Sequence, residues 1–172
     1  VWFIHRRTIR KCLPQKNYIG VDISITNLPE VKSFDRLFGW YAPDLHYEEE
    51  YASLLAENIT SGETVTIIGA YRGLSPVVAA LKCGETGSVN VIEPTKKGIK
   101  NTKDLANHNK VENRIEFIRA SVGEVYFQKH KDSYSDSPSL DVLPPCDTLA
   151  IDCDGCELSV LSDLSIGPEQ II

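Results

Sequence analysis

The chain has 172 residues, and 42% of them are hydrophobic, enough to bury the core of one domain of ordinary size. Charged residues make up 24%, which excludes wholesale disorder. The net charge of -6 and the pI of about 5.2 argue against a surface built to hold nucleic acid, and no apolar run is long enough to span a membrane.

The charge is uneven. Residues 1–16 carry five basic residues and no acid, against 13 basic and 24 acidic residues in the remainder. The plain reading is a solvated basic helix face. The sharper one is a positive flank behind an apolar segment, since Val1-Trp2-Phe3-Ile4 precedes it. There is no Met, and the chain closes on Gln170-Ile171-Ile172, which reads as a strand just beginning. It is expected to be a segment of a longer protein. The five cysteines, Cys12, Cys83, Cys146, Cys153 and Cys156, are irregularly spaced. They are expected as free thiols in a reducing cytoplasm.

Residues 18–25 alternate loosely and predict a strand. Residues 47–59 predict a helix, with Tyr47, Tyr51, Leu54, Leu55 and Ile59 on one face. Val65 to Ile68 predicts a short, continuously apolar strand, and Gly69-Ala70-Tyr71-Arg72-Gly73 a tight turn. A helix follows with Ser75 at its cap, Pro76 at its first position and Gly84 past its end. Val89 to Ile92 predicts a strand and residues 96–109 a polar helix with Ile99, Leu105 and Ala106 inward. Strands are predicted at Arg114–Ile118 and Thr148–Ile151, and a loop over Asp132–Pro145. Glu157 to Leu164 predicts a helix with Leu158, Val160, Leu161 and Leu164 as its apolar positions. Alternating helices and short apolar strands imply an α/β fold, a mainly parallel sheet with helices on both faces.

In such sheets ligands sit at the carboxyl ends of the strands. After the first strand, Gly69 and Gly73 permit a tight turn and close backbone approach by a ligand; many such turns are only turns. After the second comes Glu93, 24 residues beyond Gly69, an acid suited to ribose hydroxyls or simply to solvent. After the third comes Ala120-Ser121-Val122-Gly123, small enough for an adenine ring to lie against it. After the fourth comes Asp152-Cys153-Asp154-Gly155-Cys156-Glu157, an acidic turn that suits a cationic group or a hydroxyl nucleophile, or plain solvent. Its C-x-x-C has the spacing of thioredoxin-like redox motifs, but neither Asp154 nor Gly155 would lower a thiol pKa. A zinc site with Cys146 lacks a fourth ligand, so no metal is expected. His108 and His130 read as surface residues.

Taken together, Val65–Gly73, Val91-Ile92-Glu93-Pro94, Ala120–Gly123 and Leu149–Leu158 resemble the FkbM-type branch of the class I S-adenosylmethionine-dependent methyltransferases. The most specific features are the strand-ending Glu-Pro and the Asp-x-(Glu/Asp)-Gly-x-Glu block. The Tyr47-Glu48-Glu49-Glu50-Tyr51 stretch is similar to archaeal members. The resemblance covers residues 45–172. It implies a Rossmann-like doubly wound sheet over 46–172, preceded by a basic segment over 1–45 that forms a cap or a dimer contact, with the last strands lying beyond this chain. It implies S-adenosylmethionine as cofactor, with Gly69, Ala70, Tyr71 and Gly73 along its methionine and ribose, Glu93 on the ribose, Ser121 and Val122 flanking the adenine, and Asp152 facing the methyl-transfer centre. Asp152 and Asp154 are the candidate catalytic acids. The implied reaction is O-methylation of a small or carbohydrate-like hydroxyl by a cytoplasmic enzyme, with a homodimer as an option and no nucleic-acid partner. Ile67 stands where the family usually has Asp, which leaves open a non-catalytic binding or regulatory domain with a degenerate pocket. A nicotinamide-dependent oxidoreductase fits least, because the second glycine of G-x-G-x-x-G is absent.

Overall fold

The sheet takes its order from two sets of crossovers that run in opposite directions. In the computed structural model, residues 15–18, 20–24, 49–123, 139, 141–153 and 155–172 are described. A hairpin of β1 (Gln15–Tyr18) and β2 (Val21–Ser24) comes first, antiparallel, with Tyr18 opposite Val21. The single strand predicted over 18–25 is therefore corrected: Gly20, at φ +82°, lies between two short strands and takes a backbone that other residues rarely adopt. Then follow α1 (Glu49–Asn58), β3 (Thr64–Ile68), α2 (Leu74–Cys83), β4 (Ser88–Ile92), α3 (Lys96–His108), a short 3-10 turn (Glu112–Arg114), β5 (Ile115–Ile118), β6 (Thr148–Ile151), α4 (Glu157–Ser162) and β7 (Gln170–Ile171).

The five strands β3 to β7 pair in the order β5-β4-β3-β6-β7, and every neighbouring pair is parallel. The chain moves outward from β3 to β4 to β5, then returns to the other side of β3 for β6 and β7. Right-handed crossovers place the helices of these two halves on opposite faces. The packing agrees. Val65 and Ile67 of β3 and Val89 and Val91 of β4 pack with Val77, Val78 and Ala79 of α2, with Ala52 and Leu55 of α1 and with Leu105 of α3. The alternate residues Ile68, Ile92 and Leu149 pack on the other face with Val160 of α4 and with Leu143. This is a doubly wound, Rossmann-like α/β sheet. Both faces are covered, which is why the strands read as continuous apolar runs. Val21 of β2 is buried in the first of these cores. Residues 1–14 and 25–48 lie outside the described residues.

The helices depart from expectation in three places. α2 starts at Leu74 rather than after a Ser75 cap, because Gly73 at φ +87° already turns the chain into the helix. Ser75 is then buried along with Leu74 and Pro76 to Ala80, as suits a helix enclosed between a sheet and α1. In α1, Leu54 is exposed rather than inward. α4 ends at Ser162, and of its apolar residues only Val160 is buried, while Leu158 is 76% and Leu161 44% exposed. The predicted 132–145 loop is described only at Ser139 and 141–145; Ser139 bridges Ser121 in parallel fashion. Among the described residues, no helix is long and apolar enough to cross a membrane.

Candidate functional site

The strand registers bring the predicted strand-end residues onto one edge. Ile68 is level with Ile92 and with Ile151, and Ile92 with Ile118. The next residues, Gly69, Glu93, Arg119 and Asp152, therefore stand in a row across the carboxyl edge. The backbone ladder runs one step into them: the Gly69 N–H donates to the Ile92 carbonyl at 3.0 Å, Glu93 to Ile118 at 3.1 Å and Asp152 to Ile68 at 2.9 Å. Strand order reverses between β3 and β6, so Gly69 and Asp152 flank the switch point, where open parallel sheets bind their ligands.

The loop after β3 is fixed from both sides. Gly69 has φ +90°, and a Cβ built on it would lie 1.9 Å from the Asp152 carbonyl oxygen. Gly73 has φ +87°, and its Cβ would lie 2.6 Å from Cα of Thr102 in α3. Only glycine allows both contacts. Between them Tyr71 adopts φ 29°, uncommon for a residue with a side chain. The Asn101 amide donates to its carbonyl at 3.1 Å. The Tyr71 ring is 46% exposed, with the Arg72 guanidinium 5.7 Å and the Lys97 ammonium 6.0 Å from its centre.

Glu93 holds this loop from below. It is only 4% exposed. One carboxylate oxygen accepts from the backbone N–H groups of Ala70 and Tyr71, at 3.0 and 3.1 Å. The other accepts from the Thr95 N–H at 2.8 Å and from the Thr95 hydroxyl. The same hydroxyl caps α3 by accepting from the Gly98 N–H at 2.9 Å. Four donors fill about the four acceptor sites that a carboxylate offers. A Cβ on Gly98 would lie 2.4 Å from the Glu93 carboxyl carbon, so Gly98 makes the room in which the carboxylate sits. Thr95, Gly98 and Asn101 were not singled out from sequence; the only local signal was Thr95 three residues before Gly98, the spacing of a helix cap.

The loop after β6 holds the largest correction. Cys153 and Cys156 are joined in a disulfide, with Cα atoms 5.5 Å apart, and are not the free thiols expected. Cys83 and Cys146 are free, and burial pushes both thiols above their ordinary pKa; Cys12 lies outside the described residues. Asp152 is exposed on the edge and Asp154 lies outside the described residues. Ser121 and Val122 are half-buried beyond β5, with Val122 packed against the core on the α4 face. His108 ends α3, which starts at the carboxyl edge and runs back along the sheet, so it stands away from the row. His130 is not described.

Glu157 accepts from the N–H groups of Cys153 and Gly155 at 3.1 and 3.2 Å. Burial opposes its ionisation, but backbone hydrogen bonds from Glu157, Gly155 and Cys153 outweigh it and lower the carboxyl pKa. The folded chain thus holds this proton more weakly than the unfolded chain does. The resulting stability is complete above the ordinary carboxyl range and is lost as pH falls through the lowered value. Glu157→Gln is expected to flatten the acid side of the stability profile, measured by thermal denaturation between about pH 3 and about pH 6. An unchanged acid limb would show that these bonds do not hold the loop.

No family model matches the chain, and no curated protein matches it. Several solved structures do. A S-adenosylmethionine-dependent O-methyltransferase from Thermotoga maritima is 16% identical over 60% of this chain and 34% of its own, with a TM-score of 0.45. The C-terminal domain of precorrin-6Y C5,15-methyltransferase from Rhodobacter capsulatus is 19% identical over 66% of this chain and 54% of its own, with a TM-score of 0.46. Trm5b from Pyrococcus abyssi is 15% identical over 81% of this chain and 33% of its own, with a TM-score of 0.49. The chain spans between a third and about half of these structures.

Proposed function

We propose that the chain binds S-adenosylmethionine along the carboxyl edge of the sheet and serves the O-methylation of a small or carbohydrate-like hydroxyl. The observation that carries this reading is the pinned Gly69–Gly73 loop at the switch point, with the exposed acid Asp152 beside it. The residue pattern that resembles the FkbM-type methyltransferases falls on this same edge.

The residues suit the cofactor's chemistry. The positive-φ glycines keep the loop tight across the strand ends, where open parallel sheets take their ligands, and an exposed carboxylate suits a sulfonium cation. Gly69, Ala70, Tyr71 and Gly73 would line the methionine and ribose, and Ser121 and Val122 would flank the adenine. Glu93 would act on the ribose side mainly by holding the loop that receives it. When bound, the cofactor supplies an electrophilic methyl group. Asp152, with Asp154 as the second candidate, would orient the acceptor hydroxyl and take its proton.

A second reading, a non-catalytic binding domain, draws on one observation: the Glu93 carboxylate is already engaged by four donors. Ile67 adds less to it, because its side chain is wholly buried among the α2-face residues and does not stand on the edge.

Calorimetric titration with S-adenosylmethionine, S-adenosylhomocysteine and NAD tests both readings. Binding of the first two with Kd on the order of 10 µM, about -7 kcal/mol, and none of NAD is expected. Failure of both would overturn the proposal. Binding without transfer of labelled methyl to any sugar, lipid or polyketide hydroxyl would favour the second reading.

A further inference from the structure

We propose that Cys153 and Cys156 form a reversible thiol–disulfide pair, exchanging with small-molecule disulfides and thiols, that sets the order of the Gly69–Gly73 loop. The inference stands whether or not the edge holds S-adenosylmethionine.

Three observations carry it. The two sulfurs are bonded between residues three apart in the segment just after β6. The two cysteines differ in access: Cys156 is 3% exposed and packed with Ile68, Ile92, Leu149 and Val160, whereas Cys153 is half-buried. The turn also lies against the glycine loop with no side chain between them. A Cβ on Gly69 would lie 1.9 Å from the Asp152 carbonyl oxygen and 3.5 Å from Cα of Cys153, and the Asp152 N–H is bonded to Ile68, the residue before Gly69. The two backbones leave no room between them even for a methyl group, so a change in the turn is transmitted to Gly69 by contact.

Access assigns the order of steps. In oxidation, the Cys153 thiolate attacks one sulfur of a small disulfide such as oxidised glutathione. A mixed disulfide forms on Cys153 and one thiolate departs. The Cys156 thiolate then attacks the Cys153 sulfur, closing the Cys153–Cys156 bond and expelling the second thiolate. Two electrons pass from the cysteine pair to the small disulfide, and the two cysteine protons end on the two departing thiols. Reduction runs the same steps backwards, a small thiolate attacking at Cys153 while Cys156 leaves.

The covalent closure restricts the conformations open to the turn. In the reduced chain Asp152 is still tied to Ile68 and Cys153 and Gly155 to Glu157, but the link between residues 153 and 156 is no longer covalent, and the wall against the loop becomes less fixed.

The test equilibrates the chain at several ratios of reduced to oxidised glutathione, traps thiols by alkylation, and reads the 153–156 peptide by mass. Amide hydrogen exchange is followed on the same samples. Full conversion between a two-thiol and a disulfide form is expected within the accessible ratios, with exchange of the Gly69, Ala70, Tyr71 and Asp152 amides about fivefold or more faster in the reduced form. Cys156→Ser is expected to accumulate glutathione on Cys153, whereas Cys153→Ser should accumulate none on Cys156. A peptide that stays in one form at every ratio, or equal exchange in both forms, would overturn the inference. Glutathione on Cys156 alone would overturn the assignment of the attacking sulfur. The wild-type comparison decides the main point even if a variant fails to fold. Absence of cofactor binding, by contrast, would count only against the methyltransferase reading.

Discussion

Gly69→Ala is expected to lower the stability of the chain by more than about 4 kcal/mol, among the largest effects a single substitution produces. Two costs combine. At φ +90° a side-chain-bearing residue is strained by about 1–2 kcal/mol. The larger cost is steric, since the new methyl group would lie 1.9 Å from the Asp152 carbonyl oxygen, and neither side can yield cheaply. Asp152 is tied to Ile68 at 2.9 Å, and Ile68 is paired level with Ile151. Moving either backbone therefore opens the β3–β6 seam on which the switch point is built. Gly20→Ala provides the scale: Gly20 also has positive φ, but no atom of the described residues lies within 4 Å of its Cβ position, so only the strain of about 1 kcal/mol should appear. Gly123→Ala should fall between them, because its close neighbour is the Ser159 side chain rather than backbone. Urea denaturation of the three variants measures the series. Equal losses at Gly69 and Gly20 would refute the close backbone contact.

The central strands β3 and β6 were legible because they are buried on both faces, and burial on both faces favours a short apolar run. The edge was legible for a related reason: a parallel sheet fixes where its ligands go, so Gly69, Glu93 and Asp152 could be singled out by position alone. What escaped the sequence is the exact geometry of turns, helix ends and loops. The 18–25 stretch alternates like one strand, and nothing local shows that Gly20 divides it. Ser75-Pro76 has the chemistry of a helix start, but Gly73 had already turned the chain. Leu158 and Leu161 fit the apolar spacing of a core helix, yet α4 is short and presents only Val160 to the sheet. An odd number of irregularly spaced cysteines points to free thiols, whereas bonding follows from Cys153 and Cys156 standing 5.5 Å apart between Cα atoms. Glu93 was read as facing a ligand, and its four donors come from two separate loops.

Those four donors make Glu93→Ala the second large effect, a loss of about 3–5 kcal/mol. At 4% exposure water cannot readily take the carboxylate's place, so the N–H groups of Ala70, Tyr71 and Thr95 and the Thr95 hydroxyl would lose their acceptor. Glu93→Gln separates two roles. Its amide keeps one oxygen for one pair of donors but points an NH2 group at the other pair, so about half of the loss should persist if Glu93 holds the loop. If Glu93 served only a ribose, Glu93→Gln would weaken nucleoside binding and leave stability unchanged. Gly98→Ala supplies an independent check that leaves residue 93 a glutamate, since its methyl group would lie 2.4 Å from the Glu93 carboxyl carbon and must displace it. Denaturation midpoints read beside calorimetric titration with S-adenosylhomocysteine decide the matter. The geometry requires Gly98→Ala to follow Glu93→Gln in losing stability; a Gly98→Ala chain as stable as the parent would mean that the carboxylate is not held where the structure places it.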